Sequence, residues 1–308
     1  MKVSIITPFY HGRDYMKGYQ QMLEAVERYT AAHPAADGTR DTVEVIIVND
    51  SPEVPVPLSG INLGKPYWRV ISNVKNVGIH ASRIAGLNAA TGDYVIFLDQ
   101  DDFLREDAVS TFLAAAAADA AKDGTATSGK VFISNAVFVS HGQGNELYRT
   151  EAGKKLVWDF DTFCNIGTQI VSPGQVMLNR LSIPDFWKDH PLKNNGADDY
   201  FLWLLLLSAG AEHVYVDAPL YIHRETESNL SADTRVTDRS AFEFLDLLSE
   251  TDFPPEKIAR LRTMLTMKDL FRNGNLFVKL GQAFRHPYLM MKNISYKIRT
   301  KTPYGFNR

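Results

Sequence analysis

Four short runs rich in β-branched and aromatic residues lie within the first hundred positions: Val3 to Ile6, Val43 to Val48, Trp68 to Ile71 and Tyr94 to Leu98. Each has the length of a buried strand. The first two stop at Thr7-Pro8 and at Asn49-Asp50-Ser51-Pro52, and the fourth stops at Asp99. Proline cannot donate to a ladder, and the Asn-Asp-Ser-Pro sequence is turn chemistry. Between and after the runs the apolar spacing lengthens to that of a helix, over Tyr15 to Tyr29, Ile79 to Ala90 and the alanine-rich Glu106 to Ala121. The order is βαβ, a proline-rich loop over Pro52 to Pro66, then βαβα. That alternation predicts an α/β fold with a mostly parallel, Rossmann-like sheet and helices on both faces.

The second half is less regular. Val131 to Val139 reads as a strand, and Gly142 to Phe163 as loop and short elements. Asp199 to Ala209 reads as a helix, and His213 to Val216 and Leu220 to Ile222 as two short strands. From about Thr237 the pattern is helical. The reading divides the chain into an α/β domain over 1–235 and a helical, basic extension over 236–308. A chain of 308 residues, 45% hydrophobic and 22% charged, can build a core of that size.

The net charge of −3 is unevenly spread. Phe271 to Arg308 holds eight Lys and Arg and no Asp or Glu, which leaves −11 on the first 270 residues. An acidic body argues against a nucleic-acid enzyme, and a basic tail suits phosphates. Phe277, Leu280, Phe284, Tyr288, Leu289, Met290, Met291 and Ile294 alternate with the tail's cations. That pattern fits either a membrane-facing surface or a packed extension with a solvated basic face. The longest apolar run, Phe201 to Leu207, is far short of the ~20 residues of a membrane span. Met1 to Tyr10 reads as a strand rather than a signal peptide. The single cysteine, Cys164, allows no intramolecular disulfide and reads as packing. The expectation is a cytoplasmic protein, peripheral at the inner face of the cell membrane if the tail binds there.

Five segments could carry chemistry. Asp99-Gln100-Asp101-Asp102 follows the fourth strand, and in open α/β sheets ligands bind beyond the carboxyl ends of strands. Three carboxylates in four residues repel one another unless a hard cation such as Mn²⁺ or Mg²⁺ sits among them, bridged to a diphosphate. An acidic helix cap needs only one. Asn49-Asp50-Ser51 could accept a hydrogen bond from a base or a ribose, or could close an Asx turn. Thr7-Pro8-Phe9-Tyr10 offers a ring to stack on a base, or core. Asn76-Val77-Gly78 with Arg83 makes a phosphate site at a helix start, or an ordinary turn with a solvated arginine. Asp198-Asp199 opens a helix, where the macrodipole favours acids in any case, and could supply a general base.

In this order and spacing the five segments resemble the family 2 inverting glycosyltransferases of GT-A fold, over roughly residues 2 to 230. Val3 to Tyr10 looks like the family's opening strand and Glu44 to Ser51 like its second strand and acidic turn. Asn76 through Arg83 and Gly86, Thr91-Gly92-Asp93-Tyr94 and Phe97 to Asp102 follow its pattern almost continuously. Asp198-Asp199-Tyr200 with Leu202-Trp203 resembles its acceptor-site motif. Asn49 stands where Asp is common and Asp198 where Glu is usual, and His223-Arg224 does not align cleanly with the late basic motif.

The resemblance implies roles. Thr7, Pro8, Tyr10, Asp50, Asn76, Gly78, Arg83 and Asp99 would bind the nucleotide, with Tyr10 and Asp50 at the base. Asp101, Asp99 and Asp102, with His223 as a further candidate, would hold the metal. Asp199, with Asp198 beside it, would be the catalytic base. From their position alone, the segment Ser172 to Gln175 through Asn179-Arg180, with Asn194-Asn195-Gly196, is expected to shape the acceptor site. The implied activity is metal-dependent transfer of a hexose from a nucleotide-sugar, typically UDP-linked, to a saccharide or lipid-linked saccharide in bacterial cell-surface polysaccharide synthesis. A non-catalytic nucleotide-sugar-binding domain would lack the base. A nucleotidyltransferase would usually carry a glycine-rich loop after the first strand, and Thr7 to Asp14 holds only Gly12.

Overall fold

In a computed structural model of the chain, residues 1–33, 41–57, 68–140, 142–224 and 234–301 are described. The proline-rich loop from position 58 onward, and Arg308 of the tail, lie outside them. The described chain runs β1 (Lys2–Phe9), α1 (Arg13–Ala32), β2 (Thr42–Asn49), β3 (Trp68–Ser72), α2 (Ile79–Ala89), β4 (Tyr94–Phe97), β5 (Phe103–Leu104) and α3 (Ala108–Asp123). It continues through β6 (Val131–Ser140), β7 (Gln143–Glu146), α4 (Glu151–Leu156), α5 (Phe160–Asn165), β8 (Val176–Asn179), α6 (Asp185–Asp189), α7 (Asp198–Ser208) and β9 (His213–Arg224). Four helices follow: α8 (Thr234–Leu248), α9 (Pro255–Asn273), α10 (Leu276–Arg285) and α11 (Pro287–Thr300). Among the described residues, no helix is long and apolar enough to cross a membrane.

The chain divides into two compact units. The first comprises Met1–Glu146, Ser172–Pro191 and Glu212–Thr226, and holds the whole sheet. Its strand order is β3-β2-β1-β4-β8-β6-β9-β5, with β7 paired to β6. β3, β2, β1 and β4 are mutually parallel, as the four runs predicted. β1 lies between β2 and β4, so Val3 to Ile6 pair on both sides and lose all exposure. Burying each such aliphatic side chain stabilises by about 1.5–3 kcal/mol, and strands covered on both faces read as unbroken apolar runs rather than as alternation. Helix α2 packs on β1 and β2, and it comes unusually close. A Cβ at Gly86 would collide with Cγ2 of Ile6.

Beyond β4 the sheet changes character. β8 is antiparallel to both β4 and β6, while β9 runs parallel to β6 and antiparallel to β5. The two short strands expected at His213 to Val216 and Leu220 to Ile222 are one strand, β9. Its Asp217-Ala218-Pro219 interruption is absorbed by a register shift opposite Ser134 to Ala136. β7, a polar Gln-Gly-Asn-Glu strand, carries no apolar signal at all.

The second unit comprises Leu147–Val171, Leu192–Ala211 and Glu227–Arg308. Its described elements are helices: α7 packs on α5 and α8, and α9 on α5, α8 and α10. From Tyr200 to Leu207 every side chain of α7 is buried. Cys164 lies fully buried on α5 in this unit, as packing requires.

Candidate active site

In the sheet unit the carboxyl ends of β1, β2 and β4 lie side by side, and the chain leaving each one is tied to the others. Asp50 follows β2. One of its oxygens accepts from the Val77 N–H at 2.8 Å and from Nδ2 of Asn73 at 2.8 Å, and the other accepts from the Gly78 N–H at 2.9 Å. These bonds hold the turn that opens α2. Asn76 closes the same turn, accepting from the Gly78 N–H at 3.0 Å. Gly78 has φ 91° and ψ 166°, backbone territory that side chains exclude, so the turn needs glycine.

Arg83, one turn into α2, is not solvated. It is 4% exposed and places Nη2 2.6 Å from Oδ1 of Asp99. The Ser172 hydroxyl donates to the other oxygen of Asp99 at 3.1 Å. Burial, reinforced by the charge of Asp102, nonetheless raises the Asp99 carboxyl above its ordinary value, against the pull of Arg83.

Gln100 bridges to β1. Its side chain accepts from the Tyr10 N–H at 3.1 Å and donates to the Tyr10 carbonyl at 3.1 Å. The Tyr10 ring itself is 51% exposed beside His11. Thr7 and Pro8 point elsewhere: both are buried in β1, and the Thr7 hydroxyl is bonded to that of Tyr19.

Asp102 is buried in a knot. It accepts from the Tyr221 hydroxyl, from Nδ1 of His223 at 3.0 Å and from the Arg224 N–H at 3.1 Å. His223 also lies 5.4 Å from the Phe138 ring. Burial disfavours charge on His223, but the bond and charge of Asp102, with Asp99 and Asp101 behind, raise its pKa overall.

Asp101 is the odd member. Among the described residues its side chain is bonded to no other residue and accepts only from its own backbone N–H. Burial first, then the charges of Asp102 and Asp99, push its carboxyl up to about 7. The attraction of His223 offsets only part of this, so the site disfavours the charged form of Asp101.

Among the described residues, no three His, Cys, Asp or Glu side chains form a group that could hold a metal ion by themselves. Mg²⁺-type sites commonly need no such cage, because one or two carboxylates and the substrate's phosphates complete the shell. Asp101, a hard oxygen donor bonded to no other residue among those described, fits that mode. Asp99 and Asp102 already spend both oxygens on protein donors.

Asn179 and Arg180 lie at the opposite end of β4, paired or bonded with Tyr94, Ser128 and Gly92. They are therefore remote from Asp99, and their expected place beside the acceptor is corrected. Ser172 to Gln175 do lie at the carboxyl end. Asp198 and Asp199 open α7 in the helical unit, where Asp198 is buried, Asp199 is half-buried, and Asp199 accepts from the Tyr200 N–H at 2.7 Å. Asn194, in the same unit, is fastened to Glu243 of α8. Sequence reading gave Gln100, inside the motif, and Tyr221 no role and placed Ser172 with the acceptor; chain folding brings Ser172 to Asp99 and Tyr221 to Asp102.

Residues 4–171 match the family described as Glycosyl transferase family 2. The chain is 34% identical over 109 residues to a protein of Mycobacterium tuberculosis named "Putative glycosyltransferases", covering 35% of this chain and 29% of that one. It is 34% identical over 103 residues to the uncharacterized glycosyltransferase YwdF of Bacillus subtilis, covering 33% of this chain and 34% of that one. The match thus spans about a third of these relatives' length. Among solved structures, S. aureus TarS 1–349 in complex with UDP-GlcNAc superposes with a TM-score of 0.60 at 16% identity, covering 97% of this chain and 82% of that one. The same TarS segment in complex with UDP gives 0.58 at 15% identity, over 89% of this chain and 73% of that one.

Proposed function

This chain belongs to glycosyl transferase family 2 and has a GT-A fold, and from that premise we propose that it moves a sugar from a UDP-linked donor to a saccharide or lipid-linked saccharide, with inversion at the anomeric carbon. The observation that carries the reading is the joining of three strand ends through Asp50–Gly78, Arg83–Asp99 and Gln100–Tyr10, with the Asp101 carboxylate left over. TarS, whose fold this chain shares, is described in complexes with UDP and UDP-GlcNAc.

In the proposed reaction the exposed Tyr10 ring stacks on the base. Asp50 has about four lone-pair sites, of which three are taken by the chain, so one remains for a donor on base or ribose. Arg83 and Asn76 sit by the phosphates with Gly78, whose turn shapes the helix start that receives them. Asp101 would hold Mn²⁺ or Mg²⁺, with Asp99, Asp102 and His223 fixing the loop around it. When bound, the ion neutralises the leaving diphosphate. Asp199 accepts the proton of the attacking hydroxyl as the bond to the anomeric carbon forms and the bond to the diphosphate breaks. Asp199 is half-buried and Asp198 buried, which favours Asp199 of the pair as the base.

The transfer chemistry is assigned to 1–235, with 236–308 as an extension. A cytoplasmic enzyme of cell-surface polysaccharide synthesis, peripheral at the inner membrane face, is the setting this implies. A screen of nucleotide sugars with Mn²⁺, Mg²⁺ or a chelator tests it by reading nucleotide release. Release of UDP from one UDP-sugar, lost with chelator, supports the reading. Release of the sugar 1-phosphate instead, with the nucleoside monophosphate passing to an acceptor, would make the protein a nucleotidyltransferase, and tight binding without turnover a binding domain.

A further inference from the structure

The last two described helices carry a feature that the transfer reaction does not use. α10 buries no residue, and its Phe277 and Phe284 are each 84% exposed. At about 3.6 residues per turn, Leu276, Phe277, Leu280 and Phe284 fall on one face. Lys279 borders that face on one side and Arg285 on the other.

α11 repeats the arrangement. It is anchored by Leu289, Asn293, Tyr296 and Thr300, all buried on one side. The Tyr296 hydroxyl donates to Gln169, the Thr150 hydroxyl donates to the Arg299 carbonyl at 3.1 Å, and Lys292 pairs with Asp161 at 2.7 Å. On the opposite side, Met291 and Ile298 are 70% exposed, with Ile294 between them. Lys292 and Arg299 border this second stripe on one edge, and Lys297 and Lys301 on the other.

Soluble surfaces rarely expose such stripes without a partner. The chemistry of that partner follows from the borders. From Phe271 to Lys301 there are seven Lys and Arg and no Asp or Glu. Among the described residues, Lys279, Arg285, Lys297, Arg299 and Lys301 have no carboxylate partner. A protein partner would be expected to meet this face with carboxylates at chosen points. A helix with an apolar face and cations along both its edges instead suits a plane of acyl chains beneath anionic headgroups. We propose that α10 and α11 lie in the surface of an anionic phospholipid bilayer, the aromatic and aliphatic side chains entering the headgroup–acyl boundary and the cations reaching back to the phosphates.

The test is sedimentation of the full chain with vesicles of phosphatidylcholine, and with the same vesicles carrying phosphatidylglycerol, at low and high salt. Phe277, Phe284 and Arg285 are exposed and Lys279 partly so, so thermal unfolding should not change, and circular dichroism checks this. The proposal expects binding to the anionic vesicles only, weakened by salt. It expects Phe277→Ser with Phe284→Ser to weaken that binding by about tenfold or more, and Lys279→Glu with Arg285→Glu to do likewise. Three results would each overturn it: no sedimentation with anionic vesicles, binding that both pairs of substitutions leave intact, or a solution dimer that Phe277→Ser with Phe284→Ser dissolves.

Discussion

Arg83 Nη2 stands 2.6 Å from Asp99 Oδ1, and the pair joins the first turns of α2 to the chain leaving β4. The arginine is almost wholly enclosed. Replacing it by leucine would keep most of the packing and strand a half-buried carboxylate. Breaking a buried pair from one side costs roughly 3–5 kcal/mol, and the partial exposure of Asp99 places Arg83→Leu near the lower end. Urea unfolding should report that loss, with Arg83→Lys recovering part of it, since charge survives and the planar fork does not.

Glu44 gives a pH prediction far from the motif. Burial alone would raise its carboxyl, but the Thr91 N–H, Lys2, Ser4 and the Thr91 hydroxyl all donate to it and bring it down to about 2 from an ordinary 4.5. A group lowered on folding stabilises fully above its unfolded value and loses that contribution as pH falls through the folded one. About 2–3 kcal/mol of stability should therefore drain away below about pH 5. Denaturant melts of wild type and Glu44→Gln should differ most at near-neutral pH, and the gap should narrow markedly near pH 3.

Gly86 tests the closeness of α2 to β1. A methyl there would collide with the stiff, β-branched Ile6 and press on Val48. Gly86→Ala would raise helix propensity on an open surface, but here overpacking should cost about 1–3 kcal/mol. Combining it with Ile6→Ala should recover part of the alanine's cost, as a double-mutant cycle would reveal.

Cys164 should be chemically silent. Its thiol is fully buried, and burial pushes it up to about 12. A thiol-specific chromogenic reagent should label it only after denaturation. Rapid labelling of the native protein would place Cys164 at the surface.

The parallel half of the sheet was readable because its strands are buried on both faces, so Val43 to Val48 and Tyr94 to Leu98 appear as plain apolar runs. β7 was not, because Gln-Gly-Asn-Glu is held by pairing to β6 and has no apolar face to announce it. β9 was split by Pro219, whose cost the register shift in the β6 pairing absorbs. At the site, Asp99, Asp101 and Asp102 were conspicuous as a cluster, yet their separate situations were not. Arg83 and Ser172 come to Asp99, and Tyr221, His223 and Arg224 to Asp102, from distant positions in the chain. The helical unit draws on three separate stretches, an assembly that reading along the chain does not foresee.

Asp101, the carboxylate of the motif that bonds to no other residue among those described, carries the central claim. The most direct test is the rate of UDP release from the preferred UDP-sugar in Mn²⁺, for wild type and for Asp101→Ala, with folding of both confirmed by thermal unfolding. A metal's stabilisation of a leaving diphosphate is worth several kcal/mol, so the variant should lose about a hundredfold or more in rate. A folded Asp101→Ala protein that releases UDP at close to the wild-type rate would contradict the account.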